Sequence, residues 1–140
     1  MILEVRHEQE NLFYAMKVAF ALEFLHAINI VHRDVIASNV LIAHDGYLKL
    51  AGFKNAKVVL GSDKTYTIVG HVSCNAPEML NKRSGYGRLV DWWALGVLVY
   101  RLLYGLDAFN SLPTQIGDKI HTVAAGHESD ETHGDVISPS

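Results

Sequence analysis

The sequence has few of the residues that build covalent or metal-held frameworks: one cysteine, three prolines and 11 glycines in 140 residues. A single thiol can form neither an internal disulfide nor a multi-thiolate zinc site, which excludes a disulfide-stapled secreted scaffold and predicts a cytoplasmic protein. The single cysteine is equally compatible with a nuclear protein. Because hydrophobic residues make up 49% of the chain, a disordered or collagen-like protein is also excluded.

Charge of one sign and long apolar runs are scarce as well. Twelve Lys and Arg stand against 15 Asp and Glu, for a net charge of −3, so no basic excess indicates a nucleic-acid binder. The most apolar stretch, residues 92–100, stops at Arg101 and is far shorter than the roughly 18 residues that a membrane span needs. We therefore expect neither nucleic acid nor membrane as a partner.

The N-terminal half of the chain shows one long helical pattern followed by short strands. Over residues 8–27, apolar residues recur at spacings of three and four, which predicts an amphipathic helix with one buried face. The positions expected on that face are Leu12, Phe13, Met16, Ala19, Phe20, Phe24 and Leu25. Residues 30–31, 40–42 and 47–50 are typical of strands, with a hairpin turn at 44–46. Residues 54–77 lack periodicity and predict a long irregular loop.

The C-terminal half predicts two further helices and a tail. Pro77 suits the first turn of a short helix, because its missing N–H has no helical partner there. Residues 90–104 are apolar on nearly all sides, which predicts a buried central helix that Gly105 ends. Residues 121–140 hold few large apolar side chains and predict a disordered tail. The expected fold class is mainly α with a small β-hairpin, in one domain over residues 1–120.

Several short motifs occur in a fixed order along this framework. They are His32-Arg33-Asp34, Asn39, Asp45-Gly46-Tyr47, Thr65-Tyr66-Thr67, Ala76-Pro77-Glu78 and Asp91-Trp92-Trp93-Ala94-Leu95-Gly96. In this order the sequence resembles the lower, C-terminal lobe of a Ser/Thr protein kinase of the AGC group, particularly the cyclic-nucleotide-dependent kinases. The resemblance covers residues 1–120 and implies a kinase-like C-lobe fragment that lacks the N-lobe, since no Gly-rich loop or strand lysine comes before the first helix.

The resemblance assigns catalytic and nucleotide positions on the loop and hairpin. It implies that Asp34 holds the place of the catalytic base and that Asn39 holds the place of a magnesium ligand. Leu41 matches the adenine-facing floor of the nucleotide cleft. A plainer interpretation of Asp34 is a loop carboxylate bonded to nearby N–H groups, and a plainer interpretation of Asn39 is a loop cap.

The resemblance also implies regulatory and structural positions. Thr67 lies where AGC kinases are phosphorylated, and Arg33 matches the guanidinium that binds that phosphate. His32, Phe53, Glu78 and Asp91 match structural positions, with Asp91 accepting backbone N–H bonds from the loop around His32. In the family, the glutamate at the position of Glu78 pairs with an arginine that would lie after residue 120, and this sequence has no arginine there.

The sequence departs from the family pattern where phosphate chemistry is expected. Gly52 replaces the aspartate that binds the bridging magnesium, and Lys54 adds a cation beside it. Ile36 replaces the lysine that follows the base, and His71 replaces a threonine. The positions that recognise basic substrates differ too: Ser38 and Arg101 stand where glutamates are expected, and an arginine would repel such a substrate.

These departures favour a truncated kinase-like domain that is catalytically inactive, a pseudokinase or binding module whose partner is another protein. ATP and magnesium are implied by the resemblance only, and we expect neither to bind. One alternative is an active Ser/Thr kinase completed by a separate upper lobe. Another is a gene-fragment product without function. Cys74, with no adjacent lysine, is expected to be an unreactive thiol, although His71 lies three residues before it.

Overall fold

The computed structural model describes residues 8–81 and 83–109, and the predicted segments beyond them, including the tail over 121–140, lie outside the described residues. About half of the described chain is helical. The elements are α1 (Glu8–Ala27), β1 (Ile30–Val31), β2 (Val40–Ile42), β3 (Leu48–Leu50), β4 (Lys57–Val58), α2 (Pro77–Leu80) and α3 (Leu89–Tyr104). Short 3₁₀ turns cover Ala37–Asn39, Phe53–Asn55 and Val72–Cys74. No helix within the described ranges is both long and apolar enough to cross a membrane.

Helices α1 and α3 pack side by side and form the main core of the molecule. Asn11 Nδ2, near the start of α1, donates to the Leu102 carbonyl near the end of α3 at 2.7 Å, so the two helices run antiparallel. The bounds predicted for α1 are confirmed, and Gly105 ends α3 with φ 69°. The core between these helices and the hairpin contains Val18, Leu22, Val40, Ile42, Leu95, Leu98 and Leu102. Each buried Val or Leu stabilises the fold by about 1.5–3 kcal/mol.

The predicted buried face of α1 is wrong. Of the seven apolar positions expected on that face, only Leu25 is buried, and Leu12, Phe13, Met16, Phe20 and Phe24 are exposed. The face against α3 instead carries smaller side chains at Ala15, Val18 and Leu22. Because α1 has apolar residues on all sides, the spacing of its apolar residues predicts a helix without selecting the face that packs.

The strands form two small sheets rather than one. Strands β2 and β3 pair antiparallel with Leu41 opposite Lys49, which confirms the predicted hairpin. The second sheet pairs β1 with β4, placing Val31 opposite Lys57. Strand β4 lies inside the segment predicted as an irregular loop, so that prediction is wrong at these two residues. Two residues are too few to show a periodic pattern in the sequence. This second sheet ties the segment after β3 to the loop that contains Asp34.

Candidate functional site

Asp91 organises the loop that contains the predicted catalytic position. Its side chain is fully buried at the start of α3 and accepts the backbone N–H of His32 at Oδ2 and of Arg33 at Oδ1, both at 2.8 Å. His26 Nε2 lies 2.8 Å from the same Oδ2. Arg33 has φ 64°, a left-handed conformation that costs a non-glycine residue free energy. The bonds from Asp91 offset this cost, and they are the contacts that the sequence predicts for this carboxylate.

His32 connects the same loop to the segment after β3. The ring is fully buried, its Nε2 lies 2.8 Å from the Ala51 carbonyl oxygen, and its Nδ1 lies 3.3 Å from the Asp34 backbone nitrogen. A single tautomer satisfies both bonds, with the proton on Nε2 and Nδ1 accepting. The Phe53 ring meets the His32 ring edge to face at a centroid distance of 4.9 Å. His32 and Phe53 therefore form one contact between the two segments.

Asp34 points into the protein, and both of its carboxylate oxygens have protein partners. Asn55 Nδ2 donates to Oδ2 at 3.2 Å, and His71 Nδ1 lies 3.4 Å from Oδ1. The Asp34 side chain is only 3% exposed, whereas that of His71 is 61% exposed. Each oxygen of this buried carboxylate therefore has one protein partner.

Gly52 and Asn39 lie against each other beside this carboxylate. Gly52 has φ 79°, and a Cβ added there would collide with the carboxamide of Asn39. Asn39 Nδ2 donates to the Asp34 carbonyl at 2.8 Å. The Asn39 side chain therefore occupies the space through which any side chain at residue 52 would extend, and it supports the loop as a hydrogen-bond donor.

The donor set at this place does not fit a magnesium ion. Magnesium requires a near-octahedral set of oxygen ligands, in which carboxylates are the usual protein contribution. The Asn39 side chain offers one amide oxygen, Gly52 offers no side-chain oxygen, and Lys54 adds a positive charge. The oxygens of the nearby Asp34 carboxylate already have Asn55 and His71 as partners. Within residues 8–81 and 83–109, no group of three His, Cys, Asp or Glu side chains could hold a metal.

The hairpin position Leu41 is 36% exposed between the buried Val40 and Ile42.

A cluster of donors surrounds Thr65 rather than Thr67. Arg33 Nη1 lies 3.5 Å and Lys57 Nζ 3.2 Å from the hydroxyl oxygen of the fully buried Thr65. Arg33 Nη1 also donates to the Tyr86 hydroxyl at 3.2 Å, and that hydroxyl in turn donates to the Thr67 carbonyl. The Tyr86 hydroxyl thus links the Arg33 guanidinium to the backbone carbonyl of the exposed Thr67.

Three residues that contact Thr65, Arg33 or Asp91 were not singled out from the sequence. Lys57 belongs to none of the motifs, and the pairing of β4 with β1 is what positions it opposite Val31. Tyr86 faces Thr65 through an isolated bridge that no local pattern indicates. His26 could have been noticed as a polar residue at the end of an otherwise apolar helix segment.

A groove of about 520 Å³ opens next to His71, and its lining includes Ser38, Cys74 and Arg101. Arg101 Nη1 contacts Asp107 Oδ1 at 2.5 Å. Burial raises the pKa of the Cys74 thiol, and the contact with Ser73 opposes this shift. Glu78 is half-buried in α2, and its side chain makes no hydrogen bond or ion pair within the part of the chain that the structure describes.

Comparison with known proteins finds similarity over most of the chain. A family model described as "Protein kinase domain" matches residues 3–136. The chain is 40% identical over 131 residues to cAMP-dependent protein kinase catalytic subunit 3 of Drosophila melanogaster, a match covering 93% of this chain and 21% of that protein. It is 44% identical over 97 residues to the cAMP-dependent protein kinase catalytic subunit of Dictyostelium discoideum, covering 69% and 14%. It is also 42% identical over 99 residues to the human catalytic subunit PRKX, covering 71% and 27%. The chain thus spans about a quarter or less of the length of these relatives.

Proposed function

Because the chain belongs to the protein kinase domain family, as an AGC-type Ser/Thr member, we propose that it forms the C-terminal lobe of such a domain and binds a protein partner without transferring phosphate. The observation that carries this proposal is the contact between Gly52 and Asn39. The family pattern requires a metal-binding carboxylate at residue 52. Gly52 has no side chain, and the Asn39 carboxamide fills the space where one would lie.

The contacts of Asp34 support the same conclusion. A general base must present a carboxylate oxygen within hydrogen-bond reach of the substrate hydroxyl. Here Asn55 and His71 engage both oxygens, and Ile36 supplies no donor at the place of the family's lysine. By contrast, the bonds of Asp91 hold the loop itself in place. We propose that these bonds hold the loop while the phosphate chemistry is absent.

The nucleotide positions follow from the lobe assignment. We place Leu41 on the floor of the cleft where an adenine would lie in an active relative, because its side chain faces outward from the hairpin. Neither ATP nor magnesium is required for the binding role. The proposed partner is another protein, in the cytoplasm, and the change to Ser38 and Arg101 beside the groove disfavours a basic partner segment.

We further propose that phosphorylation of Thr67 orders the segment between Lys54 and Gly70. A phosphate on Thr67 would add about −1.5 to −2 charges. Arg33 is already linked to the Thr67 carbonyl through the Tyr86 hydroxyl, and Arg33 and Lys57 both contact Thr65, two residues away. The expected result is slower protease cleavage between these residues after treatment with an activating kinase. Thr67→Ala treated in the same way is the control, and Lys57→Ala should lose part of the protection. Equal cleavage of modified and unmodified protein would contradict this regulatory proposal.

A phosphotransfer assay tests the proposed function itself. The full chain is incubated with magnesium, labelled ATP and a mixed peptide library, alone and with a separately expressed upper lobe of an AGC kinase. We expect no more transfer than with Asp34→Ala under the same conditions. Transfer that Asp34→Ala abolishes would instead support the alternative of an active kinase assembled from two lobes, for which the presence of Asp34 and Asn39 is the favourable observation.

A further inference from the structure

The Asp34 carboxyl group is buried, and its partners come from two other segments. Its side chain is 3% exposed, and an ionised carboxylate in such a position requires hydrogen-bond donors. No lysine or arginine of the described residues forms an ion pair with it. Asn55 Nδ2 donates to Oδ2 at 3.2 Å, which leaves Oδ1 to His71.

His71 lies at the entrance to the 3₁₀ turn Val72–Cys74, and this turn fixes its backbone. The Cys74 N–H donates to the His71 carbonyl at 2.9 Å. From this position Nδ1 lies 3.4 Å from Asp34 Oδ1, while most of the ring faces solvent. The imidazole therefore lies between the carboxylate and the outside, and it also lines the groove of about 520 Å³.

We propose that His71 is the positioning residue of Asp34, donating from Nδ1–H to Oδ1 and covering the carboxylate against solvent. Asn55 holds one oxygen and His71 holds the other, so the orientation of the carboxylate is fixed from two sides. Access to Asp34 then depends on the His71 ring, and a ligand that displaces this ring from the groove uncovers the carboxylate. The inference rests on a contact that also supports the proposed function, but its tests read the His71 ring and the labelling of Asp34 rather than phosphate transfer, so either one can fail without the other.

Nitrogen-15 spectroscopy of the histidine rings tests the donor assignment. In the full chain labelled at histidine, we expect His71 to show a protonated, hydrogen-bonded Nδ1, with its signals assigned by their loss in His71→Gln. His44 is the reference, because it is exposed on the hairpin turn and makes no bond within the described part of the chain. A pattern for His71 that matches His44 would overturn the proposal.

Chemical labelling of the carboxylate tests the covering role. A water-soluble carbodiimide with an amine is applied, and modification of Asp34 is followed by mass spectrometry. We expect slow labelling in the unmodified sequence, a several-fold rise in His71→Ala, and near-original labelling in His71→Gln, whose amide can still donate. His44→Ala should change nothing. An unchanged rate in His71→Ala, or an equal rise in His44→Ala, would contradict the proposal. If His71→Ala unfolds, judged by circular dichroism, His71→Gln and the spectra decide.

Discussion

The two sides of the loop around Asp34 differ in the side chains that contact it. On the side of α3, Asp91 is fully buried and meets three nitrogen atoms, from His26, His32 and Arg33, each at 2.8 Å. On the side of β3, Gly52 has no side chain, and Asn39 fills the adjoining space. The first side fixes the backbone, and the second is where a nucleotide-bound metal would need carboxylates.

On the proposed function, the conformation of this loop and the phosphate chemistry of the family are separate properties. The backbone of residues 32–34 depends on the bonds of Asp91 and on the His32 ring, and neither contact requires a carboxylate at residue 52. The absence of a carboxylate at residue 52 therefore breaks none of these contacts, and we propose that it removes the donor set for magnesium. This separation is the physical basis of the proposed binding role.

The largest expected effect is on the intact side. Asp91→Ala would leave two backbone N–H groups and His26 without a partner in a buried place. Since each such group costs about 1–3 kcal/mol, we expect the free energy of unfolding to fall by about 3 kcal/mol or more. Urea denaturation followed by circular dichroism measures the change. Asp45→Ala is the matched control, because Asp45 is exposed and bonds only locally to the Tyr47 N–H, and its cost should stay near 0.5 kcal/mol or below, about the size of an ordinary surface change. Similar losses for both variants would contradict the role of Asp91.

A second test addresses the space at residue 52. Gly46 and Gly52 have nearly the same backbone angle, φ 82° and 79°, but an added Cβ meets nothing within 4 Å at Gly46 and collides with Asn39 at Gly52. Gly46→Asp should cost about 1–2 kcal/mol from the backbone angle alone. Gly52→Asp should cost about 1–3 kcal/mol more, because of the overlap.

The double variant identifies the source of that excess. Adding Asn39→Ala to Gly52→Asp should return most of the excess cost, giving a clear interaction energy in a double-mutant cycle. Additive effects would show that Asn39 does not occupy the space at residue 52.

A smaller effect of opposite sign is expected at Asn75. Asn75 is 9% exposed, and its Nδ2 has no hydrogen-bond partner in the described part of the chain. Replacing this donor in Asn75→Leu should raise the free energy of unfolding by about 1 kcal/mol. Asn55→Leu is the contrast, since it removes the donor to Asp34 Oδ2 and should destabilise the protein. Destabilisation by Asn75→Leu of the same size would show that Nδ2 does have a partner.

The smallest expected effect concerns the Cys74 thiol. Because burial raises its pKa, the neutral form persists to higher pH than in the unfolded chain. Alkylation by iodoacetamide should be slower in the folded protein than in urea near neutral pH, and its midpoint should lie at higher pH. Faster alkylation in the folded protein would indicate a stabilised thiolate, contrary to the expectation of an unreactive cysteine.

Element types could be predicted from the sequence better than the faces and contacts they use. The periodic residues of α1, the turn at Gly46 and the cap at Gly105 are local signals, and the structure confirms those elements. The packed face of α1, strand β4 and the cluster of Arg33, Lys57 and Tyr86 depend on partners far along the chain. The collision between Gly52 and Asn39 also joins two separate segments, so the missing carboxylate could be predicted and the filled space could not.

A thermal-shift measurement with and without magnesium-ATP tests the separation of fold and chemistry most directly. A ligand at 100 times its dissociation constant should stabilise the folded state by about 2.7 kcal/mol, a change that such a measurement detects readily. We predict no nucleotide-dependent shift for the full chain, and the same midpoint for Asn39→Ala with and without magnesium-ATP. A clear shift that requires magnesium and is lost in Asn39→Ala would contradict the absence of a metal and nucleotide site at Gly52 and Asn39.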